Sequence, residues 1–304
     1  MERTPHLRTN HIMRQEKYTK YFLLAPALLT LTATTVYPLV FAFITSFRYW
    51  RLDRSPLPQN FIGFDNYLRA FGDPFFLNSV VVTLIFTAIS VTLSVGIGLA
   101  IALLLHQQKG KFSDFLKVLL ILPFAVSPAL KGFSWRFMLD SNYGVYDKII
   151  DTLLPFLSDV IWLGEPFWAM FWLAFTEVWG WAPFIALVFL GALGSIDDEV
   201  IEAAKIDRAS PLQIFWHVTL PLLVPIILIV TLLKIVSSLK MIDQVIALTG
   251  GGPGRATQTL NYYVYVTGFK FFDMGYASAL AFLLGVVLLI FAFFYIKLIW
   301  SQQD

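Results

Sequence analysis

Glu177 and Lys234 each lie deep inside a stretch that is otherwise apolar, FTEVWGWAPF for the first and TLLKIVSSL for the second. An ionisable side chain at such depth in hydrocarbon is costly, so it marks a functional site by default and calls for a partner. Glu177 can accept hydrogen bonds from a polar ligand or pair with a cation on a neighbouring helix. Lys234 can pair likewise, or extend its stem toward an interface. Ser237, Ser238 and Asp243 follow Lys234; Trp179 and Trp181 follow Glu177, where an indole can stack on a ligand ring or pack between helices and lipid. Other chemistry is poorly supplied. Cysteine is absent, His6, His11, His106 and His217 are scattered singly, and neither HExxH nor GxSxG occurs. The run Gly250-Gly251-Gly252-Pro253-Gly254 continues into Arg255 without GK[ST], so it fails as a phosphate loop. We expect no metal site, no bound cofactor and no catalysis by this chain.

Composition explains why those two charges stand out. Of 304 residues, 58% are apolar and only 14% charged, with a net charge of +2 and a mean hydropathy of +0.71. A soluble domain needs roughly a quarter charged residues, so the chain is expected to be an all-α integral membrane protein, with no nucleic-acid partner. Six apolar runs are long enough to cross about 30 Å of hydrocarbon: Tyr21–Ser46, Asn78–Leu105, Phe115–Met138, Pro166–Gly191, Leu220–Leu239 and Gly275–Trp300. The first exceeds a signal peptide's apolar core and lacks a small-residue cleavage site. Residues 1–20 then form a tail, and 21–304 one six-helix domain.

Six crossings place both termini on one side, and Lys and Arg select it. Arg3, Arg8, Arg14, Lys17 and Lys20 precede the first span, and Lys109, Lys111 and Lys117 follow the second. Both termini are therefore assigned to the cytoplasm. The longer loops Phe47–Leu77, Leu139–Glu165 and Lys240–Met274 face outward, with Trp50, Trp162, Trp168 and Trp300 as an interfacial belt.

The polar interruption at 195–221 falls on the cytoplasmic side. Ser195 and Asp198 have the spacing of a capping box, and Asp197, Asp198 and Glu199 suit the positive end of a helix dipole. A short helix is expected from Asp198 to Ile206, broken at Asp207-Arg208-Ala209. Ser210-Pro211 then supplies an N-cap and a first-turn proline for a second helix, to end near Val218 before Leu220-Pro221. Five acids against two bases (Asp197, Asp198, Glu199, Glu202, Asp207; Lys205, Arg208) disfavour anionic headgroups as its ligand. A docking element for a protein fits better.

The string Glu202-Ala203-Ala204, Asp207, Ala209, Phe215 and Leu220-Pro221 resembles the EAA motif of ATP-binding-cassette (ABC) importer permeases. Phe61 to Tyr67 resembles the FxGxxNY stretch after the first span. Leu122 to Pro128, with Trp135-Arg136-Phe137, resembles the third-span segment, and Leu248 to Pro253 the loop before the last span. Together they are similar to the carbohydrate branch, and within it to the first permease of maltose and glycerol-3-phosphate systems. The resemblance implies a type I importer fold in a bacterial cytoplasmic membrane, with the 195–221 loop as coupling helix. It implies a second permease subunit, two copies of a cytoplasmic ATPase that carry ATP and Mg, an extracytoplasmic solute-binding protein and a sugar-class substrate.

On that resemblance the ATPase-coupling residues are Glu202, Ala203, Ala204, Asp207, Arg208 and Ala209. Where the family has glycine in Asp-Gly-Ala, this chain has Arg208. Either the turn is altered, or Arg208 stays right-handed and contacts the ATPase or a lipid phosphate; a left-handed arginine would cost on the order of 1 kcal/mol. Candidate solute contacts are Glu177, Trp179, Lys234, Ser238, Asn261 and Tyr263, with a structural ion pair to the second subunit as the other reading of Glu177. Thr83, Thr87, Ser90 and Ser94 line one side of the second span and read as helix–helix glue. An ion-coupled secondary carrier is the competing function; it requires intramembrane acids that hold a coupling ion.

Overall fold

The computed structural model describes residues 22–108 and 110–300. The 1–20 tail with its basic residues lies outside them, as does Lys109. Among the described residues the chain is helical, with isolated bridges at Arg48–Phe61 and Arg51–Asp273 as its only β pairing. The long elements are α1 (Phe22–Ser46), α3 (Pro74–His106), α7 (Pro166–Leu193), α9 (Pro211–Leu239) and α12 (Met274–Trp300). Between them lie α2 (Asp65–Gly72), α4 (Lys111–Ala125), α5 (Pro128–Met138), α6 (Val145–Leu153), α8 (Asp198–Ile206), α10 (Asp243–Leu248) and α11 (Leu260–Tyr265).

Five of these are long and apolar enough to cross a membrane, and a bent pair supplies the sixth. That pair corrects the expected straight span Phe115–Met138. The chain breaks between Ala125 and Pro128, and α4 and α5 meet at 92°. Proline is the cause: it cannot donate to the helix ladder and forces the preceding residue out of the helical region. Val126 (ψ 128°) and Ser127 (ψ 147°) are accordingly extended. Ser127 then caps α5, its Oγ accepting from the Leu130 amide at 3.4 Å.

α3 and α7 form the tightest pair, with small residues at the contact. Gly98 leaves no room for a side chain, since a Cβ there would lie 2.6 Å from Ile185 Cγ2. Ser90 and Ser94 are buried in α3, as expected of residues that let helices approach. Thr83 does more: its Oγ1 accepts from the Leu260 amide at 2.7 Å and ties α11 to the bundle. α1 packs on α12 through Phe43 and Phe282 (5.2 Å between centroids) and leaves most of its surface exposed.

Loops 47–77 and 240–274 close one end together. Asn66 Nδ2 donates to the Ser46 and Arg48 carbonyls at 2.9 and 3.0 Å. Arg69 pairs with Asp273 at 2.8 Å. Asp73 accepts from the hydroxyls of Tyr263 (2.6 Å) and Tyr276 (2.7 Å). Within the glycine run, Gly251 is left-handed (φ +82°) and its missing side chain makes room for the Tyr262 ring. Two of the expected interfacial tryptophans are core instead. Trp162 is 2% exposed, donates to Asp147 and packs against Trp168 and Trp172; Trp50 is buried and donates to the Ser55 carbonyl. Their flanking loops fold over them rather than lying open to the interface.

Candidate functional site

The break in the third span opens a cavity of about 510 Å³ bounded by α4, α5, α7, α9 and α10, whose polar wall carries Lys131, Glu177, Ser237, Lys240 and Asp243 with Trp181 beside them. Glu177 sits on α7 and Lys234 on α9, 3% and 0% exposed. Lys234 Nζ donates to Glu177 Oε1 at 2.7 Å and to Ser238 Oγ at 3.1 Å. Ser238 lies one turn on from Lys234, on the same helix face. The Lys234 ammonium also stands 5.0 Å from the centre of the Trp181 ring. In a medium of low permittivity neither charge is tolerable alone, and pairing within the chain is what allows both to be buried. Of the readings open for Glu177, the intrachain ion pair is the one the structure displays.

Lys131 completes the group. It projects from the first turn of α5 and is 3% exposed. Gly180 makes space for it: a Cβ on that glycine would overlap Lys131 Nζ. α5 is held in place from behind by α10, where Gly132 faces Ala247 so closely that a Cβ would lie 2.6 Å away. Gln244 on α10 in turn donates to Thr176 Oγ1 and to the Leu173 carbonyl of α7. Each charged side chain is therefore carried by a different helix, and α5 and α7 are locked to α10 by the close-packed Gly132 and the buried Gln244 amide.

The other candidate solute contacts lie elsewhere. Trp179 faces away from the cavity, into an apolar groove with Val178 and Phe175. Asn261 donates to the Lys240 carbonyl at 2.6 Å. Tyr263 is buried against Asp73; burial, then the hydrogen bond to Asp73, push its phenol up to about 12. Burial works to raise the Asp73 carboxyl as well, but the Tyr263 and Tyr276 hydroxyls and the Phe75 and Phe76 amides together hold it below its ordinary range.

At the opposite end, α8 spans the predicted residues, but its start differs. Asp197 is the N-cap residue, and the Ser195 hydroxyl donates to the Ala192 carbonyl at 2.7 Å instead of capping. The preceding helix runs to Leu193, so the nearest carbonyls capture that hydroxyl. Its C-terminus resolves the question of Arg208. The Arg208 amide bonds to the Lys205 carbonyl at 3.0 Å and the Ala209 amide to that of Ala204 at 3.1 Å. This is a Schellman motif, which needs a left-handed residue after the C-cap. Arg208 takes that conformation at φ +58°. The turn thus keeps the geometry that glycine would give it.

Ser210 caps the next helix in a full capping box with Gln213. That helix does not stop at Val218, as the sequence led us to expect. It passes through a π turn at Phe215–Thr219 and continues to Leu239. Pro221 has no N–H for the His217 carbonyl, and the wider π turn just before it absorbs the mismatch. Glu202, Ala203, Asp207 and Arg208 are exposed, and Ala204 and Ala209 half-buried. Val200, Ile206 (81% exposed), Leu212 and Trp216 add apolar surface to this acidic loop.

The profile of the family described as "Binding-protein-dependent transport system inner membrane component" matches residues 93–299, which contain both the cavity and the exposed loop. The chain belongs to this family. It is a multi-pass permease component of an ABC transport system. It is 33% identical over 281 residues to the sulfoquinovosyl glycerol transport system permease protein SmoG of Agrobacterium fabrum (92% of this chain, 90% of the relative). It is 32% identical over 298 residues to the trehalose/maltose transport system permease protein MalF of Thermococcus litoralis (97% and 98%). A chain from the crystal structure of a bacterial ABC transporter that imports the acidic polysaccharide alginate has the same fold: TM-score 0.83, 21% identity, covering 95% of this chain and 98% of that one.

Within this permease, the residue missed by the sequence reading is Lys131. It obeys the rule that singled out Glu177 and Lys234, a charge inside an expected span. Its meaning depends on the break at Val126–Ser127, which turns a lysine of a straight helix into one wall of a cavity.

Proposed function

We infer that this permease forms half of a membrane-embedded pore that imports a sugar or sugar derivative by alternating access, driven by a separate ATPase. The carrying observation is the 195–221 loop: two capped helices joined by a Schellman turn, projecting exposed acids and apolar side chains from the end of the bundle opposite the 47–77 and 240–274 loops. Exposed apolar patches of this kind mark docking surfaces, and an excess of carboxylates makes a protein a better partner than anionic lipid. Glu202, Ala203, Ala204, Asp207, Arg208 and Ala209 would form the contact with the ATPase, which binds ATP and Mg. Two ATPase copies, a second permease subunit and an extracytoplasmic solute-binding protein complete the assembly. Both termini and the docking loop lie on the cytoplasmic side.

The sugar class rests on the relatives, named for sulfoquinovosyl glycerol and for trehalose/maltose transport. The cavity agrees with it, having one indole wall and several hydrogen-bonding groups at depth. Closure of the ATPase would reach it through α9, a single helix from the docking loop at Pro211 to Ser238 beside the ion pair. A ligand shifts such an equilibrium only through contacts that differ between its states; a continuous helix linking docking loop and cavity supplies that difference at both ends. An ion-coupled carrier would need an acid free for the coupling ion, and Glu177 is engaged by Lys234. Uptake of solute into liposomes holding the reconstituted assembly is expected to require both ATPase and nucleotide. Uptake by this chain alone, without nucleotide, would sink the proposal.

A further inference from the structure

We propose that the cavity beside the broken span receives the anionic group of its solute, a carboxylate, sulfonate or phosphate carried on a sugar, and that Lys131 is the cation that meets it. This rests on the reading of the chain as a sugar-class permease and narrows its substrate.

Charge at depth is unbalanced. The buried residues of the site are two lysines, Lys131 and Lys234, and one carboxylate, Glu177, each at most 3% exposed. Glu177 is already committed, at 2.7 Å, to Lys234. Among the described residues Lys131 makes no direct hydrogen bond or salt bridge; it feels the Glu177 carboxylate only at longer range, a carboxylate already in contact with Lys234, and it lines the cavity. The remaining charged residues of the wall, Lys240 and Asp243, are exposed at its mouth and of opposite sign. The deep part therefore carries one ammonium in excess. A buried cation that must share its one counter-charge with a second lysine is disfavoured, and the cavity that Lys131 lines is where an anion can offset it.

Position supports the assignment. Lys131 stands in the first turn of α5, an eleven-residue helix whose N-terminus, at Pro128, also borders the cavity. The helix dipole there favours negative charge and adds to the ammonium's field. Trp181 lines the same cavity, so an acidic group seated on Lys131 leaves its sugar ring beside an indole. A neutral sugar would leave the ammonium with weaker, uncharged acceptors.

The test uses the purified assembly of this chain with its second permease subunit and ATPase. Its thermal stability and tryptophan emission are followed on titration with glucuronate, glucose 6-phosphate, glucose and inorganic phosphate. Glucuronate or glucose 6-phosphate should stabilise the assembly at concentrations where glucose and inorganic phosphate do not. Lys131→Gln should weaken the response on the order of tenfold, the loss of one charge-assisted hydrogen bond. Equal responses to glucose and to the sugar acids, including none to either, would overturn the proposal. So would a response to inorganic phosphate alone, or one that survives Lys131→Gln. Lys131→Met separates the remaining possibility, a carboxylate of the second subunit seated on Lys131. Removing an unpaired cation should raise the stability of the solute-free assembly, whereas removing half of an intersubunit pair would lower it and contradict the inference. ATP-driven uptake of a neutral sugar would leave the permease reading standing while this narrower inference fell.

Discussion

Arg208 illustrates how one side chain can depart from a family pattern while the backbone keeps it. The Schellman bonds from Arg208 and Ala209 demand φ near +60°, and the arginine adopts it at a cost of about 1 kcal/mol. Arg208→Gly should therefore stabilise the end of α8 by about that amount, seen as roughly fivefold slower amide exchange at Ala209. Arg208→Val should have the opposite effect, because a β-branched residue is least tolerant of that conformation. At Glu177 the stakes are larger. Glu177→Gln leaves two buried lysines with no carboxylate and is expected to cost about 3–5 kcal/mol in detergent denaturation, most of it recovered in Glu177→Gln/Lys234→Met. Recovery of none of that loss would mean that the pair is not what Glu177 is for. Both charges were legible as a site from their depth in apolar sequence. That they pair with each other across 57 residues was not, because pairing depends on how α7 and α9 cross.

Elements were legible where the signal is local. The EAA-like helix Asp198–Ile206, the Ser210-Pro211 restart and the five unbroken spans follow from capping chemistry and apolar length. The third span was misread because its length and hydropathy pass for a straight helix, while two prolines five residues apart (Pro123, Pro128) set a 92° bend. Capping misled at Ser195, since the Ala192 carbonyl at the end of the preceding helix accepts the same hydroxyl. The bend stays in place only while α5 lies flush on α10. Gly132→Val puts a branched side chain into Ala247 and should destabilise the fold by about 1–3 kcal/mol, measured by thermal denaturation. The loop cluster at the closed end has its own signature. Burial and Asp73 push the Tyr263 phenol from 10.0 to about 12, so folding favours its neutral form. Its contribution should be complete below pH 10 and lost as pH climbs through 12. Tyr263→Phe should flatten that alkaline loss in a pH series of melting temperatures; an unchanged profile would remove Tyr263 as its cause.

At the scale of the whole molecule, the permease is a bundle whose two ends are joined by α9 among its long helices. One end is closed by the packed loops 47–77 and 240–274, with the cavity and its three buried charges beneath; the other carries the exposed, acidic, apolar-tipped loop at 195–221. Composition alone indicated a membrane protein, and the motif at Glu202–Ala209 indicated a partner. What no single stretch could indicate is that the exposed loop runs directly into the helix, Pro211 to Leu239, that carries Lys234 of the ion pair. The functional reading proposed above turns on contact between this loop and the ATPase. Reversing the charge of its exposed acid tests that most directly: Glu202→Lys, with the ATPase co-expressed and the amount retained through purification of the permease measured. The variant is expected to insert as wild type does and to lose the ATPase. Recovery of the ATPase with Glu202→Lys at wild-type yield would contradict it.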